Sequence, residues 1–332
     1  MEHGIRTEMV LLTAGLLLLG YFLSGVLMLV FAAILFAVGL DGLARALARH
    51  VPVPRAVALI AIVMAIAAAL ATAVVVSATR LVEQFWQVGE TVADFMGGLV
   101  EWFAEHGASG MMSEINSENG GAGALAGHVL NYGLSAVGAV ASIIVLLVLT
   151  MFLVSNPPLY RGGLVRVVPP AYRSMVEDTL SAIAHALRWW FLGQLVSMAI
   201  LGSTVGLVLF FFGIELWFAL AVLTAILTFV PFLGPIIATV PIVAVAFSED
   251  TQTGLIVLGI YIVIQNIEGN FVEPMIQQKA VNLPPALLIA VQVLLGLIFG
   301  LVGLMLAAPL TIMAMVAVQK LWVEHTLGEQ II

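Results

Sequence analysis

The chain has 332 residues, of which 62% are hydrophobic and only 9% charged, with a formal net charge of −8. Soluble domains carry roughly 25% charged residues, so a water-soluble globule is excluded and an all-α polytopic membrane protein is predicted. There is no cysteine, which excludes disulfides, thiolate metal sites and thiol redox chemistry.

Met9 to Leu40 carries no charge. That is too long for one span of ~20 residues and for the ~7–15-residue core of a secretory signal. An uncleaved anchor of two spans is expected, turning at Gly20–Gly25. Arg45, Arg49, His50 and Arg55 then surround Pro52 and Pro54. The positive-inside rule places this basic loop, and both termini, in the cytoplasm. A third span, Ala56–Ala78, completes a first region of residues 1–79.

Residues 80–133 are expected to be external. Beyond Arg80 they contain no Lys or Arg, but they carry Glu83, Glu90, Asp94, Glu101, Glu105, Glu114 and Glu118. Leu81, Phe85, Val88, Val92, Phe95, Leu99 and Trp102 recur at alternating steps of four and three, a heptad seam on an amphipathic helix. That seam must bury against a neighbouring subunit, its own bundle or the headgroup layer. The acids opposite it form either a cation-attracting vestibule of an oligomer or a plain wet face. Gly107–Gly123, rich in Gly, Ser and Asn, reads as a flexible link.

Residues 134–187 return the chain through a fourth span, Leu134–Val154. A second basic loop follows, with Arg161, Arg166 and Arg173 among Pro157, Pro158, Pro169 and Pro170. An amphipathic helix is predicted from Tyr172, supported by an Arg173–Glu177 pair at i,i+4. Asp41 is expected to be an ion-pair partner. His185, with Asp178, Ser181 and Arg188, reads as a gate or as a solvated face. Trp189 and Trp190 mark the interface before span five, Phe191–Phe212.

Residues 188–332 have a different grammar. Leu216–Phe247 is interrupted by Pro231-Phe232-Leu233-Gly234-Pro235, and Ala286–Val318 by Gly300–Gly303. Each half is about fifteen residues, or ~22 Å of helix, against a hydrocarbon core of ~30 Å. Arms that short suit re-entrant hairpins better than spans. With Leu255–Ile267 as a sixth span between them, the unit of span plus broken helix occurs twice in opposite orientation. Inverted repeats of discontinuous helices are how many secondary transporters build a mid-bilayer site. The predicted architecture is about six full transmembrane helices plus two broken or re-entrant helical hairpins, about eight helical segments in all, with an external amphipathic helix.

Glu268 is the leading chemical candidate. It follows an apolar span, is flanked by Gln265, Asn266 and Asn270, and precedes Pro274. An acid at membrane depth suggests a proton- or cation-binding group, with Glu273 close enough in sequence to share its load. The competing reading is an interfacial acid capping a helix start near Gly269. Pro231, Gly234 and Pro235 free backbone groups that could coordinate a solute or ion; a purely geometric turn is the alternative. Gly296, Gly300 and Gly303, with Pro309 beyond, permit close helix approach. Gln194, Asn282 and Gln292 are either pathway polars or amides bonded to a neighbouring helix.

These residues also resemble a known family. Gln265-Asn266-Ile267-Glu268-Gly269-Asn270, Leu283-Pro284-Pro285, Gly300-Leu301-Val302-Gly303, Ala307-Ala308-Pro309-Leu310 and the Pro231–Pro235 motif with Pro241 are similar to the autoinducer-2 exporter family, in its permease-like branch. Gln265-Asn266 stands where many members have an Asn–aromatic pair. The resemblance covers essentially the whole chain. It implies a homo-oligomeric bacterial inner-membrane exporter of a small polar solute or signalling molecule, in some members linked to sodium/proton antiport. An oligomeric channel or a non-transporting scaffold are the rival readings. No enzyme, cofactor, metal or nucleic-acid partner is expected: Gly-x4-Gly-Lys-Ser/Thr, His-Glu-x-x-His and Gly-x-Ser-x-Gly are all absent, as are basic patches.

Overall fold

In a hydrocarbon medium each backbone N–H and C=O must find its partner within its own segment, which makes the helix the default for apolar runs. The computed structural model describes residues 2–51, 53–105, 136–272, 283–325 and 327–328, and among these every regular element is helical. Glu114, Glu118, Gly107–Gly123, Glu273, Pro274, Lys279 and Asn282 lie outside the described residues.

Helix α1, Glu2–His50, is a single helix of 49 residues, which corrects the expected hairpin at Gly20–Gly25. An interior glycine costs only about 1 kcal/mol against alanine, and no proline stands in this run to remove a hydrogen bond. Helix α2, Arg55–Glu105, likewise runs unbroken for 51 residues, joining the third span to the predicted external helix in one rod. Helix α3, Ala136–Ser155, bends by 84° at Asn156 into α4, Pro157–Val167. The Pro157–Pro170 stretch, read from sequence as a loop, is thus mostly helical. A proline lacks only an N–H that the first helical turn leaves unpaired anyway. A 3-10 turn, Pro170–Tyr172, leads into α5, Arg173–Phe211.

Four further helices complete the chain: α6 (Trp217–Thr228), α7 (Leu233–Glu249), α8 (Thr251–Ile267) and α9 (Pro285–Val318). A π-helical turn, Glu268–Val272, extends α8, and another, Gln319–Glu324, extends α9. Among the described residues, Leu23–Arg49, Pro170–Phe211 and Pro285–Glu324 are long and apolar enough to cross a bilayer, and the bent α3–α4 pair could be a fourth.

The last of these stretches does not run straight. Gly300 has φ 60 and ψ −141, and a Cβ placed on Gly303 would lie 2.0 Å from the Leu295 carbonyl oxygen. Residues eight apart in a straight helix are separated by about 12 Å, so the two arms of α9 fold back on each other. The break between α6 and α7 uses the same device. A Cβ on Gly234 would lie 1.8 Å from the Leu227 carbonyl oxygen, so only glycine fits at this crossing. Arms of 12 and 17 residues reach about 18 and 26 Å, short of a full crossing.

The chain divides into two compact units: Met1–Asp41, Ala141–Arg188 and Leu283–Ile332 form one, Gly42–Val140 and Trp189–Asn282 the other. In the first, Asp41 is buried and its Oδ2 accepts from Arg188 Nη2 at 3.1 Å, pinning α1 to α5. Arg173 does not pair with Glu177 as expected. Its guanidinium donates to the carbonyls of Val168 and Arg166 at the end of α4, where helical carbonyls lack amide partners. Glu177 pairs with Arg161 instead.

The second unit holds the apolar core described by Leu201, Val205 and Leu209 of α5, Leu220 of α6, Ile242 and Val245 of α7, and Val257 and Tyr261 of α8. The heptad seam of α2 joins it. Val88 is buried there, Phe85 and Val92 pack against it, and the rings of Phe95 and Phe247 lie 5.9 Å apart. The described middle of the seam is therefore covered by its own chain. The side chains of Leu81 and Trp102, at its ends, lie outside the described set.

Candidate transport site

The second unit builds its polar site where α8 passes the α6–α7 break. Tyr261, Gln265 and Glu268 stand at i, i+4 and i+7, one face of a helix. Glu268 is 8% exposed, and a buried carboxylate needs hydrogen bonds to offset its lost hydration. Ser197 of α5 supplies one, its Oγ donating to Glu268 Oε1 at 3.2 Å. Two turns up the chain, Tyr261 donates its hydroxyl to the Pro235 carbonyl at 2.8 Å, latching α8 to the first turn of α7. Gln265 Nε2 is buried and has no hydrogen-bond partner among the described residues.

The α6–α7 break supplies the opposite wall. Pro231 removes a helical donor, and Pro235 sits in the first turn of α7, where it is tolerated. Between them Phe232 takes φ 62 and ψ −56. Among the described residues it is the one non-glycine with positive φ, a conformation that costs a bulky side chain of order 1–3 kcal/mol. The end of α6 is tied down from α5, whose Gln194 amide donates to the buried Thr228 carbonyl. The rings of Trp190 and Phe229 meet edge-on at 5.7 Å beside it.

Phe232, Pro235, Ile236 and Thr239 on one side and Gln265, Asn266, Glu268, Gly269 and Asn270 on the other line an open cavity of about 380 Å³. Asn266 donates its amide to the Ile262 carbonyl, and Asn270 to the Asn266 carbonyl. Their side-chain amide oxygens and the second oxygen of Glu268 have no donor among the described residues and are left as acceptors. Among the described residues, no Lys or Arg lines the cavity. Such a wall suits a neutral hydroxylated solute or a cation.

The structure thus brings together Pro231, Gly234, Pro235, Gln265, Asn266, Glu268 and Asn270 from the sequence candidates. Gly300, Gly303 and Pro309 belong to the other unit and form its fold-back. Glu273 lies outside the described residues. Gln194 anchors a neighbouring helix, the plainer of its two readings, while Gln292 is fully buried in the first arm of α9. Sequence reasoning missed Ser197, Tyr261, Thr239 and Phe232. A signal for Ser197 was available, since it follows Gln194 by three and so shares its face.

Comparison with known proteins follows the same residues. The profile of the AI-2E family transporters matches residues 9–322. The chain belongs to this family. It is 24% identical over 181 residues to "Putative transport protein YueF" of Bacillus subtilis, covering 53% of this chain and 49% of that one. A "Putative transport protein" of Thermotoga maritima is 27% identical over 222 residues, 66% of each chain. The "AI-2 transport protein TqsA" of Escherichia coli K12 is 25% identical over 185 residues, 55% of this chain and 53% of that one. The matched segment spans about half the length of the first of these AI-2E relatives. Membership in this family of transporters, with its apolar helices, makes the chain a multi-pass membrane protein.

Proposed function

We propose that this AI-2E family protein is a secondary active transporter that carries a small polar solute or signalling molecule across the bacterial inner membrane, coupled to protons or sodium at Glu268. The observation that carries the reading is a buried carboxylate, held by Ser197, that opens onto an acceptor-lined cavity beside a broken helix. An ionisable group at membrane depth is expensive, and it persists where a charge must be taken up and released. The strained tip at Phe232 and the free ends of α6 and α7 supply the irregular backbone that such sites use. In this reading the α6–α7 pair and the folded α9 enter the bilayer and return to the side they came from. The solute passes over the Phe232–Pro235 tip, and the working form is a homo-oligomer.

The test uses ions as probes, because they need no knowledge of the solute. Full-length protein in vesicles with an internal pH dye should respond to an imposed sodium gradient. Glu268→Gln should bring that response to background while leaving the yield and size of the purified protein unchanged. Wild-type proton flux from Glu268→Gln vesicles would sink the coupling role. Topology can be read separately: a single cysteine at Glu249 should be labelled from outside the cell, and labelling solely from the cytoplasm would exclude the re-entrant arrangement of α6–α7.

A further inference from the structure

We propose that α4 is a surface anchor that lies flat on the bilayer and binds anionic phospholipid headgroups, with Arg166 as the headgroup ligand and Leu159, Leu164 and Val167 inserted between the lipids. Helix α3 has 20 residues, about 30 Å, the thickness of a hydrocarbon core. Ile143, Ile144, Leu147 and Phe152 along it are exposed and apolar, as a lipid-facing stretch requires. A helix that leaves such a span at 84° runs close to parallel with the membrane surface.

The roll of α4 about its own axis is also fixed. On one side the Arg161 guanidinium donates to the Ser181 hydroxyl and, at 2.8 Å, to the Glu177 carbonyl of α5, with the Glu177 carboxylate 3.4 Å away. At 100° per residue, Leu159, Val167, Tyr160 and Leu164 then share an arc of about 140° that leaves Arg161 outside it, with Leu159 roughly opposite Arg161 and Leu164 at the near edge, and all four are exposed. No residue of α4 is buried, and Val167 is 86% exposed. An outward row of large apolar side chains left in water is unfavourable by roughly 25 cal/mol per Å². Entry into the boundary between headgroups and acyl chains removes that cost.

Charge selects the lipid. From Pro157 to Arg173 there are three arginines and no acid. Arg161 and Arg173 are occupied by protein acceptors, whereas the exposed Arg166 guanidinium has no partner among the described residues. A basic side chain near an anionic leaflet gains about 1 kcal/mol. Tyr160 and Tyr172, both exposed, are of the type enriched at headgroup level.

This inference needs the chain to span a bilayer, but it is independent of solute, coupling ion and Glu268. The natural absence of cysteine permits single nitroxide labels at Leu164→Cys, Val167→Cys and Val165→Cys. The full-length protein would be placed in vesicles of phosphatidylcholine alone or mixed with phosphatidylglycerol. The readout is the ratio of collisions with oxygen, which partitions into lipid, to collisions with a water-soluble nickel chelate. Labels at positions 164 and 167 should favour oxygen several-fold, and more so with phosphatidylglycerol, while position 165 is shielded from both. Arg166→Gln should remove the phosphatidylglycerol increment without altering the phosphatidylcholine value. Nickel-dominated collisions at 164 and 167 would overturn the proposal by placing the face in water. Dipolar broadening between labels would overturn it by placing a second copy there. Equal ratios in the two lipids would overturn the headgroup assignment.

Discussion

The two fold-backs, at Phe232–Gly234 and at Gly300–Gly303, share a backbone device and differ in what surrounds it. In each, a positive-φ residue turns the chain, and a glycine two or three positions later presses against a carbonyl of the preceding arm. In each, a proline follows inside the second arm, Pro241 or Pro309. The first tip faces Gln265, Asn266, Glu268 and Asn270 and is latched by Gln194 and Tyr261. The second carries Leu297, Leu301 and Val302, exposed and apolar. The shape of the turn comes from glycine and proline; its chemistry comes from whichever helix passes beside it.

The largest expected effect tests the shared device. Gly234→Ala and Gly303→Ala each drive a methyl into a backbone oxygen, an overpacking that should cost about 3 kcal/mol or more. Thermal unfolding in detergent should show a similar loss for both. A neutral Gly303→Ala beside a disruptive Gly234→Ala would break the parallel. Next is the latch peculiar to the first tip. Gln194→Ala leaves the buried Thr228 carbonyl without its side-chain donor, a loss of about 1–3 kcal/mol. It should also speed maleimide labelling of a cysteine at Ile236, and an unchanged rate would show that the latch does not hold the tip.

Phe232→Gly separates strain from lining. Glycine adopts positive φ freely, so the variant should recover on the order of 1 kcal/mol of backbone strain, offset in part by the lost ring contacts. The unfolding midpoint should stay level or rise while cysteine labelling at Ile236 quickens. A fall in midpoint would show that the ring stabilises more than its backbone costs. The smallest effect lies at the far end of α7. The Thr253 hydroxyl, and then its amide, hold the exposed Asp250 carboxyl below its ordinary range. A group depressed in the folded state contributes stability above its unfolded value and loses it as pH falls through the folded one. The protection factor of the Thr253 amide, the unstructured exchange rate divided by its own at the same pH, should therefore fall on acidification below the usual carboxylate range, with that of the Phe232 tip unaffected.

What was legible in the sequence follows from which physical signals are local. The break in α6–α7 was readable because Pro231 and Pro235 delete donors wherever they stand, and that in α9 because Gly300 and Gly303 interrupt an otherwise uniform run. The α2 seam was readable as a face from the spacing of Phe85, Val88, Val92 and Phe95. Spacing does not identify the counterpart, which proved to be α6 and α7. Helix α1 was misread because a continuous apolar run looks the same whether it is one rod or two spans. Ser197 could be placed on the face of Gln194 from its spacing, but its partner could not be read, since that depends on Glu268 of α8, 71 residues away in sequence, passing beside it.

The π turn at Glu268–Val272 bears on how this protein should be compared with its relatives. Such a turn holds one residue more than an α-turn would over the same path. Excising Gly269 would return the segment to α-helical count and turn the residues within Glu268–Val272 by up to roughly 100° about the axis of α8. Asn270 would then leave the Asn266 carbonyl it now occupies. A one-residue gap here between two family members is therefore a change in the direction of the cavity wall, and aligning it away would superpose residues that point to different places.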